Sequence, residues 1–447
     1  HLTEWPAVLL GGFAPEFLVL PEEVLVTVMR DHQKYFAVED AQGKLAPHFL
    51  AVLNIELTAE NELVIRQGNE RVLRARFNDA RFFWEFDQRV PLMKRLPLLE
   101  KVTFQKDLGS YAAKTERVHA LAKKLTQLVA SRGAKVDAEA VEGVALLAKT
   151  DLTTELVKEF TELQGVVGGL YARAQGLKAA VAEAIYDQYL PASATDDLPR
   201  SAEGALLGLA DRVDTLTGMF GLGLEPTGSK DPFALRRAAN AVMRLLAESG
   251  LPLGLDEVLE STGSSQAVAA RLRVFFAERV DFYLREVRGQ AYDVAKAVMI
   301  AGFDDLRDLV ARAEAVSAIR SGAEAATFAA VAAAFKRMQN ILQQALDRDE
   351  IFDVDVDAAL LSDPAEKALA ATGAAAAAEV EKLAARREYL AALTVVARLR
   401  PVVDEFFERV MVMAPEPEVR ANRLALLART VKDFSRIADF SEIVVAG

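Results

Sequence analysis

From residue 106 to about 223, apolar side chains recur at steps of three and four: Val118, Leu121, Ala122, Leu125 and Leu128, then Val144, Leu147 and Ala148, then Leu152, Leu156 and Phe160. A strand buries every second residue and a helix buries one stripe at a period near 3.6, so this pattern commits the segment to packed helices. Gln164-Gly165-Val166-Val167-Gly168-Gly169 breaks the run. Its glycines lack the strand context and spacing of a dinucleotide site, and they suit helices that pack closely. Asp196-Asp197-Leu198-Pro199 leads into a further helix over 202–220, which carries Asp211 and Asp214. Only residues 1–60 have strand character. Pro21-Glu22-Glu23 starts a helix to about Gln33, and Tyr35–Val38, a turn at Ala41-Gln42-Gly43 and Phe49–Leu53 read as a hairpin. The fold class is therefore mainly α and multidomain, with a small N-terminal α+β module.

Over 62–86 the pattern is helical. Val72, Phe77 and Phe82-Phe83-Trp84 are spaced to bury one side, leaving Arg66, Arg71, Arg74, Arg76 and Arg81 outside. Aromatic rings beside arginines can stack bases, but their usual place is the core, and core packing is the expectation here. In Gly228-Ser229-Lys230-Asp231-Pro232-Phe233-Ala234-Leu235-Arg236-Arg237, Asp231 suits an N-cap and Pro232 the first helical position. The free N–H groups of such a helix start also suit a phosphate, although the full phosphate-loop pattern is absent. Helices continue through Glu248 and from about 267 to 288, with the Gly/Pro/Ser-rich connector 249–265 between them. Beyond the alanine-rich 323–334 come Phe335–Leu342, an acidic stretch over 347–366, and three helical stretches reaching Phe440. Pro401 requires one of those helices to begin beside it.

The 447 residues carry a formal net charge of −12, which argues against indiscriminate coating of nucleic acid, because phosphate binding rests on local cation excess. The charge is zoned. Residues 66–117 hold twelve Lys or Arg against seven Asp or Glu, and 347–366 hold eight acids and one Arg. Cysteine is absent, which excludes disulfides and thiolate metal sites. No apolar run approaches the ~20 residues of a membrane span, and the first thirty residues show no basic-then-apolar signal pattern, so a cytoplasmic protein is expected. The first residue is His1 rather than Met, which suggests that more chain lies upstream.

Few residues offer chemistry. The four histidines, His1, His32, His48 and His119, form no i+3 or i+4 pair, so a zinc site is not expected. Asp353, Asp355 and Asp357 resemble the start of a calcium loop. Ala358 stands where glycine is needed and Pro364 where a bidentate Glu is needed, so the stretch reads as an acidic loop. The order His119, Asp151, Asp211 resembles the helical HD phosphohydrolase pattern, with Ala148-Lys149 where its His-Asp doublet would stand. Loss of two ligands and gain of a cation leaves an HD-like fold without a metal.

Asp31-His32-Gln33-Lys34-Tyr35-Phe36, Lys149-Thr150-Asp151-Leu152-Thr153-Thr154, Gln164-Gly165, Tyr171-Ala172-Arg173, Lys230 to Arg237, Val410-Met411-Val412-Met413 and Asn422-Arg423-Leu424 follow one another along the chain. Each is weak alone. Together, and in this order, they resemble the β subunit of bacterial glycyl-tRNA synthetase, truncated at its N-terminus. The resemblance implies an α2β2 enzyme in which the α subunit uses glycine, ATP and Mg2+ to make the adenylate, while the β subunit holds tRNA-Gly without a catalytic residue, metal or cofactor of its own. It implies four parts: 1–105, an α+β module similar to part of the B-type domains; 106–225, a degenerate HD-like helical domain with His119, Ala148, Lys149 and Asp211 at the HD positions; 226–325, a helical connector; and 326–447, an anticodon-binding helical domain. The expected tRNA contacts are Lys336, Arg337, Asn340, Arg398, Arg400, Arg420, Asn422 and Arg423, with Arg236 and Arg237 beside the connector. Two other classes stand against this reading, an HD-type metal-dependent phosphohydrolase and a non-catalytic helical scaffold.

Overall fold

The structure is a computed structural model that describes residues 3–444, so His1 lies outside the described residues. Two compact units divide the chain. The first runs to Leu245 and includes Ser261–Gly263; the second holds Leu246–Glu260 and the chain from Ser264 onward.

The first unit opens with strand β1 (Pro6–Gly12), helix α1 (Glu22–Thr27), β2 (Tyr35–Glu39) and β3 (Leu45–Asn54), followed by α2 (Glu62–Asp87) and α3 (Leu92–Arg95). The strands form an antiparallel sheet in the order β1-β3-β2, with Leu9 and Tyr35 both opposite Ala51. Sequence reading finds the β2–β3 hairpin and misses β1. Ala7-Val8-Leu9-Leu10 is a continuous apolar run, and only its neighbours in the sheet tell it from a helix. Leu9, Phe49, Ala51 and Tyr35 fill the buried face. Helix α2 is docked there: the Gly12 N–H donates to Glu70 at 2.9 Å, the Tyr35 hydroxyl donates to Asn69, and the Phe77 ring centroid lies 5.0 Å from that of Phe13. Along α2 the buried apolar residues are Leu73, Phe77 and Ala80. The expected burial of Val72 and Phe82 does not occur, because the stripe that meets the sheet is centred a residue or more away from them.

A short hairpin, β4 (Thr103–Gln105) with β5 (Gly109–Ser110), leads into the helices of this unit: α4 (Tyr111–Ser131), α5 (Ala138–Leu147), α6 (Glu155–Glu159), α7 (Val166–Ala174), α8 (Ala179–Asp187) and α9 (Ala202–Gly221). The predicted stripe Val118, Leu121, Ala122 and Leu125 is buried along α4, with Val129 completing it in place of Leu128. The glycines of 164–169 act at two points. Gly165 adopts φ +84°, a region that favours glycine, and Gly169 lets α7 lie on α8 so closely that a Cβ would sit 2.5 Å from the Tyr186 Cβ and 2.7 Å from the Ala182 carbonyl oxygen. Buried Asp87 closes α2 onto these helices. Its carboxylate accepts from the Glu155 and Leu156 N–H groups at 3.0 and 2.9 Å, which caps α6, and pairs with buried Arg95 at 3.1 Å.

The division between units falls within α10 (Leu235–Glu248). The second unit then comprises α11 (Leu255–Ser261), α12 (Gln266–Phe282), α13 (Tyr292–Ile300), α14 (Leu306–Ser321), α15 (Ala325–Leu346), α16 (Pro364–Ala385), α17 (Tyr389–Ala397), α18 (Arg400–Arg409) and α19 (Pro417–Phe434). Four helices, rather than the expected three stretches, follow the acidic loop. Helix α18 begins at Arg400, so Pro401 falls in its first turn, where its missing N–H costs nothing. Phe335 of α15 anchors this core, with ring centroids 6.0 Å from Phe434 and 5.3 Å from Phe440.

Candidate nucleic-acid interface

At the HD positions the structure brings Lys149 and Asp211 together and leaves His119 out. Lys149 Nζ lies 3.0 Å from Asp211 Oδ2, and Lys114 Nζ lies 2.9 Å from Asp211 Oδ1 and 3.1 Å from Asp214 Oδ2. Arg117 completes the cluster, with its Nε donating to Asp214 Oδ1 at 2.7 Å, and the Lys149 ammonium sits 4.0 Å from the centre of the Tyr189 ring. Burial pushes the Asp211 carboxyl pKa up, but the two ammoniums outweigh it and hold the group well below the usual carboxylate range. A carboxylate clamped between two lysines is a poor metal ligand, and among the described residues no group of three or more His, Asp or Glu is placed to hold a metal ion. Asp151 does different work. It is fully buried and accepts from the Gly165 N–H at 2.5 Å, and burial pushes its pKa up to about 6.

Sequence reasoning missed Lys114, although a signal for it existed. Lys114, Val118, Leu121 and Leu125 follow the buried spacing of α4, and a lysine on an apolar stripe announces a buried partner.

The expected helix start at Pro232 is corrected by the structure. Asp231 through Ala234 form a turn, Ala234 takes φ +52°, and α10 begins at Leu235. Pro232 fits the turn because its fixed φ suits the second position. Asp231 still caps: its carboxylate accepts from the Leu235 and Arg236 N–H groups at 2.8 and 2.9 Å, occupying donors that a phosphate would need. Arg236 bonds back to the Gly228 carbonyl at 2.7 Å, while Arg237 is exposed.

In the second unit the candidate cations separate into two groups. Asn422 is 6% exposed and locked to the acidic loop: its Oδ1 accepts from the Asp357 N–H at 2.7 Å and its Nδ2 donates to the Asp357 carbonyl at 3.0 Å. Arg423 pairs with fully buried Glu366 and donates to the Met411 carbonyl at 2.9 Å. Arg420 bonds to the Ala414 carbonyl at 2.8 Å and lies 2.9 Å from Glu350. These three side chains join the 347–366 loop and the 410–415 segment to α19. The spacing that places Arg420 and Arg423 on one face is real, but in this structure that face is met by the protein's own acids and carbonyls.

Lys336, Arg337 and Asn340 are exposed together on α15, on the side opposite its buried Phe335 and Met338. The Arg337 guanidinium lies 4.1 Å from the centre of the half-buried Phe407 ring on α18. Arg398 is exposed just after α17, and Arg400 is exposed with Asp404 at 3.4 Å. Phe407 was not anticipated. The Phe406-Phe407 doublet on a helix was the available signal, since neighbouring residues 100° apart cannot both point into the core, and Phe406 does.

Comparison with known proteins bears on this arrangement. The family model described as glycyl-tRNA synthetase beta subunit matches residues 1–300, about two thirds of the chain. The chain belongs to the glycyl-tRNA synthetase beta subunit family. A second model, the DALR anticodon binding domain, matches residues 331–439. Among relatives, the glycine–tRNA ligase beta subunit of Acidobacterium capsulatum is 59% identical across 100% of this chain, and that of Magnetococcus marinus is 44% identical across 100%. The corresponding subunit of Desulforudis audaxviator is 43% identical across 99%. The chain spans about 64% of the length of the first two of these relatives and 63% of the third. Within the beta subunit family match fall the Lys114–Asp211–Lys149 cluster and the Asp231 turn, and within the anticodon-binding match falls every candidate residue of the second unit. No helix among the described residues is long and apolar enough to cross a membrane.

Proposed function

We propose that this chain holds tRNA-Gly for glycylation by a partner α subunit, which supplies the glycine, ATP and Mg2+ chemistry in an α2β2 enzyme of the cytoplasm. The observation that carries the reading is the exposed set Lys336, Arg337, Asn340, Arg398 and Arg400, with Phe407, inside the segment that matches an anticodon-binding family. Sequence-specific RNA readers take unstacked loop bases on aromatic or guanidinium planes and meet phosphates with cations. The exposed Arg337 guanidinium over the half-buried Phe407 ring offers such a plane, with Lys336 and Arg400 as cations. Arg420, Asn422 and Arg423 then hold the acidic loop and the 410–415 segment to α19, and Arg237 is the remaining exposed candidate near the connector. The four-part division at residues 105, 225 and 325 belongs to the same proposal. A phosphohydrolase reading has Asp211 against it, since two lysine ammoniums occupy the place where metal charge would be needed.

The test is a titration of the chain with tRNA-Gly and with a tRNA of swapped anticodon, each with and without α subunit. Tighter binding of tRNA-Gly is expected. Lys336→Ala with Arg337→Ala should weaken it and lower its salt slope by about one per lost phosphate contact. Equal affinity for both tRNAs would leave a helical scaffold and refute the proposal. Pyrophosphate exchange with glycine and ATP should require the α subunit.

A further inference from the structure

Helix α2 carries a second surface that the anticodon end does not use. Its residues face the sheet through Leu73, Phe77 and Ala80, and at 100° per residue Val64, Arg71, Asn78, Phe82 and Phe86 fall on the opposite side. Phe82 is 59% exposed and Phe86 42%, and their rings stack with centroids 5.9 Å apart at an interplanar angle of 18°. The Arg89 guanidinium lies 5.6 Å from the centre of the Phe86 ring. Arg71 and Arg74 are exposed and make no ion pair among the described residues, whereas Arg81 is engaged by Glu16 at 3.8 Å and by Asn78. The acids Asp79 and Glu85 are exposed on either flank of the stripe.

We propose that this outward stripe of α2 binds unpaired nucleotides of an RNA, with Phe82 and Phe86 extending a base stack and Arg71, Arg74 and Arg89 meeting the phosphates beside it. Two parallel exposed rings match the faces of unstacked bases, and every base has such a face. A duplex hides those faces, so the ligand is a single strand or a frayed end. Cations at both ends of the stripe fit a polyanion running along the helix better than they fit an apolar protein face. The inference rests on the reading that this chain holds tRNA, where the nucleotides concerned are unpaired ones outside the anticodon loop.

The full chain is titrated with a labelled short single-stranded RNA, with the same sequence as a duplex, and with an isolated tRNA-Gly anticodon stem-loop. Phe82→Ala with Phe86→Ala should weaken single-strand binding about tenfold or more and leave stem-loop binding unchanged. Arg71→Gln with Arg74→Gln, which spares the rings, should lower the salt slope for the single strand by about 1.4. Single-strand affinity unchanged in both variants overturns the proposal, as does equal wild-type affinity for single strand and duplex. Loss of α-subunit capture without loss of RNA binding also overturns it and makes the stripe a protein interface. Failure of the stem-loop to bind, with single-strand binding still dependent on Phe82 and Phe86, defeats the anticodon proposal and supports this one.

Discussion

Asp211→Asn keeps the shape of a buried side chain and removes the charge that holds two lysines. Lys114 loses little, because Asp214 at 3.1 Å, the Thr215 hydroxyl at 2.8 Å and the Asp211 carbonyl at 3.0 Å all stay. Lys149 keeps the Tyr189 ring, a neutral amide oxygen in place of the carboxylate, and the Asp151 carboxyl nearby, but loses the anion it pairs with, and its side chain is 6% exposed. Removing one partner of a buried ion pair costs ~3–5 kcal/mol; the Tyr189 contact is the same before and after, and an amide oxygen that still accepts a hydrogen bond puts the expected loss at the low end, about 3 kcal/mol. Lys149→Met should cost less, about 1–2 kcal/mol, because Asp211 retains Lys114. The double variant should be more stable than Asp211→Asn alone, with a coupling of at least about 1 kcal/mol. Urea unfolding followed by tryptophan fluorescence reads the correct unit, since the chain has two tryptophans, Trp5 and Trp84, and both lie in the first unit. With a urea m-value near ~2 kcal/mol/M, Asp211→Asn should lower the midpoint by about 1.5 M. If Asp211→Asn and the double variant unfold at the same midpoint, Lys149 is not the stranded charge and the reasoning fails.

Asp151 should give the first unit an inverse pH dependence. Burial raises its folded pKa to about 6, so the stability it contributes is whole below the unfolded value near ~3.9 and is lost as pH rises through about 6. Against Asp151→Asn, whose amide oxygen can still accept from Gly165, the wild type should lose up to about 3 kcal/mol between pH 4 and pH 7. A stability difference that stays flat across that window would sink the assignment. Asn422→Ala should cost ~1–3 kcal/mol in the second unit by stranding the Asp357 N–H and carbonyl, and should speed amide exchange around 353–361. Exchange there at the wild-type rate would mean that the acidic loop is held by other contacts.

The legibility of this chain varied with the range of the interaction concerned. The helices over 106–223 and the β2–β3 hairpin could be read because periodicity and turn chemistry are local properties. Lys149 and Asp211 could be singled out as a degenerate pair, but Lys114, the residue that completes their charge balance, comes from 97 positions before Asp211 and was hidden inside an otherwise apolar stripe. Arg420 and Arg423 show the same limit from the other side. Their three-residue spacing is visible in sequence, while Glu350 and Glu366, which meet them, are brought in by a loop whose path no local rule supplies.

By itself the amino-acid order determined that the chain is mainly helical with a short β module, that its family motifs run in order from end to end, and that its charge is zoned. Tertiary structure alone decided where each charge and ring is spent: Asp211 on two lysines, Asn422 and Arg423 on the acidic loop, Phe82 and Phe86 on the outside of α2. The physical reason is that helix formation depends on neighbours three and four residues away, whereas burial and ion pairing depend on whichever distant element packs against a given face.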